Sequence, residues 1–175
     1  MMLLLLFVLF QSAWFACVWG GAQGLAWPGL LATAGLLAFL SWKARPADVL
    51  RRAAVGAGLG GLLDGGLLYA DLTAFPQHSG ALLPLWMFAL WAGFAGVLPY
   101  MVPWLAGRRL LAIAFGAVGG PLAYYSAQAL GAIEVAGLAG FASIGAAWAL
   151  AMALLPLEDF PQPEKPSLGS THAGG

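Results

Sequence analysis

From Ala53 to Ala70 the chain reads AAVGAGLGGLLDGGLLYA, an apolar run packed with glycine and interrupted by one acid, Asp64. A run of ~18 residues rising ~1.5 Å each spans ~27 Å, close to the ~30 Å hydrocarbon core of a bilayer. Gly56, Gly60 and Asp64 lie four apart on one ridge, and Ala57, Gly61 and Gly65 form the ridge beside it. Small residues at that spacing let a second helix approach closely, so this face is expected to be a helix contact with Asp64 pointing inward. An acid at mid-span costs ~3 kcal/mol on the insertion scale, while each Leu or Val returns only ~0.5. Val55, Leu59, Leu62, Leu63, Leu67 and Leu68 roughly cancel the acid, and the span is expected to depend on its neighbours. Two roles stand open for Asp64: a hydrogen bond that packs helices, or a place on a proton, ion or substrate path.

The rest of the chain has the same character. It is 62% hydrophobic and 8% charged, with a mean hydropathy of +0.87, against ~25% charged residues in a soluble domain. The fold class that follows is an all-α, polytopic membrane protein. A net charge of zero leaves no case for nucleic acid or for an acidic soluble partner. The single cysteine, Cys17, excludes an internal disulfide framework and any multi-thiolate metal site. No Lys or Arg precedes the first apolar run, and Trp14 and Phe15 are too bulky for a cleavage site before Cys17, so the N-terminus reads as a retained first span.

Six transmembrane helices fit: Met2 to Gly20, Leu25 to Trp42, Ala53 to Ala70, Ala81 to Leu105, Leu110 to Ala132 and Val135 to Leu157. Pro28 and Pro84 are expected in first helical turns, where a missing N–H is no loss. Lys43, Arg45, Arg51, Arg52, Arg108, Arg109 and Lys165 then all fall on one side, which makes both termini cytoplasmic. Trp19, Trp27 and Trp86 belong to the outer interface and Trp42 and Trp104 to the inner one, whereas Trp14, Trp91 and Trp148 lie deeper and read as packing residues. The transmembrane domain covers residues 1–157, and the Pro-, Gly- and Ser-rich remainder, 158–175, reads as a disordered cytoplasmic tail with an inert His172. No internal repeat is legible, and a three-plus-three inverted arrangement stays open.

Two spans carry breakers. Pro99 and Pro103 are expected to kink or unwind the end of span four. In span five Pro121 leaves the carbonyl of Ala117 without its helical partner, which opens the choice between a broken helix lining a site and a simple packing kink. Gly116, Gly120, Tyr124 and Gln128 also lie four apart. Asp64, Pro121 and Gln11 share a depth, so the ridges of spans three and five are expected to face each other. The candidate site is then Gln11, Asp64, Tyr124 and Gln128, packed by Gly56, Gly60, Gly61, Gly65, Gly116, Gly120 and Pro121. With no Lys or Arg at that depth, Asp64 is expected to hold a proton and donate it to one of these polar groups.

Other chemistry lacks its parts. There is no H-E-x-x-H helix, no phosphate loop and no Cys/His cluster, so no cofactor or metal is expected. One deep acid is too few for an aspartyl protease, and Ser12, Ser126 and Ser143 have no histidine at membrane depth as base. Asp71, His78 and Glu134 in the outer loops could meet as a weak metal or proton site, or be solvated loop residues.

Phe10-Gln11 with Trp14, the lone Asp64, Pro84-x-Trp86 before Leu90-Trp91, and Gly119-Gly120-Pro121-Leu122-x-Tyr124 together resemble an uncharacterised family of small bacterial inner-membrane proteins, a domain of unknown function. The resemblance covers Leu5 to Leu157; the family's pattern has Asn where this chain has Leu6. It implies a multi-pass protein of the bacterial inner membrane with no assigned activity. It also implies a genetic neighbourhood of methyltransferases like cyclopropane fatty acid synthases and of flavin oxidoreductases, which hints at membrane lipid modification. The expected function is therefore a non-enzymatic accessory or lipid-handling protein, with the bilayer and a lipid-modifying enzyme or other membrane protein as partners. The alternative is a small proton- or cation-coupled transporter using Asp64.

Overall fold

The computed structural model describes residues 1–80 and 82–155, so the tail and the last residues of span six lie outside it. Six α-helices stand among the described residues: α1 Met2–Ala22, α2 Trp27–Lys43, α3 Pro46–Tyr69, α4 Leu85–Met101, α5 Arg109–Ala129 and α6 Gly137–Leu154. A 3₁₀ turn, Pro103–Leu105, follows α4, and two short strands, β1 Thr73–Ala74 and β2 Glu134–Val135, follow α3 and α5. Some expected boundaries move for physical reasons. Helix α3 starts at Pro46, a good first helical residue, which takes Arg51 and Arg52 out of the loop and into the helix. Helix α4 is shorter than span four, because Pro84 is its extended N-cap instead of a first-turn residue and Val102, ahead of Pro103, leaves the helical region.

Helices α1, α5 and α6 are long and apolar enough to cross a membrane, with mean hydropathies of 2.1, 1.4 and 1.7. Helix α4 is equally apolar but has 17 residues, as does α2. In α3 the apolar run is diluted by Asp48, Arg51, Arg52 and Asp64.

Helix α3 packs along α4 and α5 along α6, while α1 and α2 pair with each other and lean on α4. Glycine decides the first two pairings. A Cβ at Gly56 would strike Ala95 and the carbonyl of Trp91, and one at Gly60 would strike the Trp91 ring. A Cβ at Gly116 would strike Met152 and the carbonyl of Trp148, and one at Gly120 the Trp148 ring. The two hairpins thus use the same contacts, and their ends match as well. Leu72 N–H donates to the Leu67 carbonyl at 2.9 Å, and Ala132 N–H to that of Ala127 at 3.0 Å. Each closes a Schellman-type cap whose left-handed residue is Asp71 at φ 55° in one and Gly131 at φ 80° in the other.

Strands β1 and β2 then pair antiparallel, Ala74 opposite Glu134, the two residues holding equivalent places in their hairpins. That register is its own mirror under an approximate two-fold axis running along the helices. The α3–β1–α4 and α5–β2–α6 units are therefore one parallel repeat used twice. This corrects the reading of no repeat, and the repeat is a pair of hairpins, not three plus three inverted. It also corrects the expected meeting of the α3 and α5 ridges: each ridge is filled by the flat indole of its own hairpin, which fits a bare glycine face better than a second bare face would.

Candidate functional site

Across the pseudo-axis Trp91 and Trp148 stack, with ring centroids 4.4 Å apart and planes at 26°. Phe94 presents an edge to Trp148 at 5.0 Å, and Tyr124 does so at 6.4 Å. Asp64 sits inside this aromatic group, 1% exposed. Trp91 Nε1–H donates to its Oδ2 at 2.7 Å. The spacing explains the bond: Gly60 lets the indole lie flat on α3, and Asp64 is one turn further along, where the ring N–H arrives.

Tyr124 holds the equivalent position in the second hairpin, one turn beyond Gly120. Its hydroxyl lies beside the Asp64 carboxyl and both indole N–H groups. Asp64 Oδ1, the Tyr124 hydroxyl and Trp148 Nε1 are all buried without a partner of hydrogen-bonding geometry among the described residues.

Of the four polar residues expected to meet, the structure brings together Asp64 and Tyr124. Gln128 is turned away, its Oε1 accepting the Val135 N–H at 2.8 Å and so tying β2 to α5. Gln11 lies on α1 and lines a cavity, described below, that Asp64 does not line. Trp91 and Trp148 are the residues that sequence reasoning leaves as packing. The signal for them is a glycine one turn before a mid-span polar residue in spans three and five, each followed in the next span by one mid-depth tryptophan.

Among the residues expected to pack helices, Gly65 meets a loop residue and the others meet neighbouring helices. Besides the ridge pairs, Gly61 faces the Phe88 ring and Gly65 has Leu83 at 3.9 Å from where a Cβ would stand. Helix α5 stays continuous through Pro121, so there is no break. The Ala117 carbonyl lies against Gly145, where a Cβ would come within 3.0 Å of it, a close approach of the kind C–H···O contacts use. Trp86 departs from the aromatic belt: it is buried against Gly21 and the Phe75 ring, 5.8 Å away. Trp19, Trp27, Trp42 and Trp104 are exposed.

In the loops His78 Nε2 bonds the Leu82 carbonyl at 2.9 Å, Asp71 caps α3 and Glu134 belongs to β2. No group of three His, Cys, Asp or Glu residues able to hold a metal occurs among the described residues.

The departure from two-fold symmetry makes the cavity. Helix α3 packs on α6, but its symmetry mate, the α4–α5 pair, is held apart. The gap is a cavity of about 600 Å³ with α4 and Trp148 at its floor and α1 and α5 as walls. The α5 wall includes Leu122 and Tyr125, both more than half exposed, so the cavity opens sideways on the apolar flank of the bundle. Gly119 also lines it, and a Cβ there would meet nothing within 4 Å.

Residues 3–154 match the family model described as a protein of unknown function, DUF2878. No curated protein and no solved structure matches the chain.

Proposed function

We propose, for a chain that belongs to the DUF2878 family and takes no activity from that membership, a non-enzymatic lipid-handling role in the bacterial inner membrane. In this reading all six helices span the bilayer and both termini are cytoplasmic. The side-opening apolar cavity receives the hydrocarbon part of a membrane-soluble molecule. The observation that carries the reading is the parted α4–α5 pair: a 600 Å³ apolar space reached from the flank of the bundle, where only lipid would border it. The basic residues support the orientation. Arg45, Arg51 and Arg52 attend the start of α3 and Arg108 and Arg109 that of α5, at the end opposite the β1–β2 pair. A lipid-modifying enzyme would be the partner that draws on what the cavity holds.

The test is photolabelling in native membranes with a phospholipid carrying a diazirine in its acyl chain, followed by peptide mapping. Labels are expected on the α4 and α5 cavity walls, and Gly119→Leu, which projects a side chain into the space from a position where a Cβ meets nothing within 4 Å, is expected to reduce them. Labels spread evenly over all outward faces, unchanged by Gly119→Leu, would sink the reading.

The second reading, a proton- or cation-coupled transporter, is favoured by the buried Asp64 with its unpartnered Oδ1. Asp64→Asn keeps an acceptor for Trp91. If a deletion phenotype is restored by the wild type but not by a normally accumulated Asp64→Asn variant, the transporter reading takes precedence.

A further inference from the structure

The cavity is unlike a plain acyl-chain slot in three respects. Its lining is crowded with rings, among them Phe10, Trp14, Phe94, Phe115, Tyr124 and Trp148, which suits a flat ring through stacked and edge contacts. It has no charged side chain among the described lining residues, so a charged head has no counter-ion there. The Gln11 amide stands in its wall about halfway along α1, with no hydrogen-bond partner among the described residues.

An amide at hydrocarbon depth is costly unless something accepts its N–H groups. A phospholipid cannot do so, because its ester and phosphate oxygens stay at the interface. The acceptor must belong to a molecule that lies wholly within the apolar layer. Phe10, next to Gln11, packs its ring 6.3 Å from that of Phe94, so the amide and the ring-lined floor adjoin.

We propose that the cavity binds a lipid-soluble quinone: a neutral, flat ring whose carbonyl oxygens accept from Gln11 and whose apolar tail leaves through the side opening. The inference rests on the lipid-handling reading and names the class of molecule handled. No redox step is involved, and Gln11 acts as a binding residue.

The experiment is competition against the same diazirine phospholipid, with the full-length protein in phosphatidylcholine nanodiscs. Two competitors share a ten-carbon tail: decylbenzoquinone and decylbenzene, which lacks the carbonyls. The quinone is expected to suppress cavity labelling at a concentration at least ~5-fold lower than decylbenzene, the size of one net hydrogen bond. Gln11→Leu, a change at an exposed position, is expected to leave the labelling intact and erase that difference. Equal suppression by the two competitors, or a difference that survives Gln11→Leu, overturns the quinone assignment and leaves the lipid-handling reading standing. Absence of any cavity labelling to compete for overturns both.

Discussion

Two tryptophans in equivalent places do different work, and the difference is measurable. Trp91 and Trp148 each fill a glycine ridge, but only Trp91 Nε1–H closes a hydrogen bond, to Asp64. Trp91→Phe and Trp148→Phe remove comparable ring volume from comparable surroundings. The Trp91 change also strips a buried acid of its donor. It is expected to destabilise by about 1–3 kcal/mol more than the Trp148 change, read as a larger drop in thermal midpoint in detergent. Equal losses would mean the bond contributes nothing. At this scale the sequence is only partly legible. Asp64 and Tyr124 stand out as polar residues at one depth, yet Gln128 at the same helical spacing serves a strand instead. One further turn along α5 carries it past the core to the Val135 N–H, a local demand that ridge spacing does not express.

At the scale of the element, adjacent glycines of α5 separate packing from space. Gly120 lies under the Trp148 ring, whereas Gly119 faces the cavity with nothing in reach. Gly120→Leu is expected to lower the amount of folded protein in membranes severalfold, because a side chain there must push two helices apart. Gly119→Leu is expected to leave that amount unchanged or raise it, since it replaces a poor helix former. Quantitative blotting of both variants checks the pair, and comparable losses would remove the cavity from α5's inner face. The helices themselves are readable from apolar runs and prolines. Which helix each ridge meets is not, because a glycine ridge specifies a close neighbour without naming it. The aromatic partner that names it lies in the next span.

For the molecule as a whole, the arrangement expected in the membrane follows from the basic residues gathered at one end. Reporter fusions after Trp42 and Leu105 are expected to read cytoplasmic, and fusions within 71–80 periplasmic. A periplasmic reading at Leu105 would break the six-span scheme. The hairpin repeat escaped the sequence because its identities are few: two glycines, a tryptophan, a proline and some alanines and leucines, with Asp64 replaced by Tyr124 and Asp71 by Gly131. What repeats is the pattern of contacts, which glycine and indole supply and average hydropathy hides. The cavity is harder still to read, for it arises where the repeat fails to close on itself.

The paired strands at the ends of α3 and α5 fix where each hairpin begins and ends: the chain enters at one end of the bundle and returns to it. A unit of that kind has no net direction. Copying one, losing one or replacing one leaves the heading of every other helix as it was, whereas a single added helix would reverse all that follow. A chain assembled this way can diversify by twos at little topological risk, and the freedom to let one copy carry an acid and the other a phenol, or one seam close and its mate gape, comes from that parity.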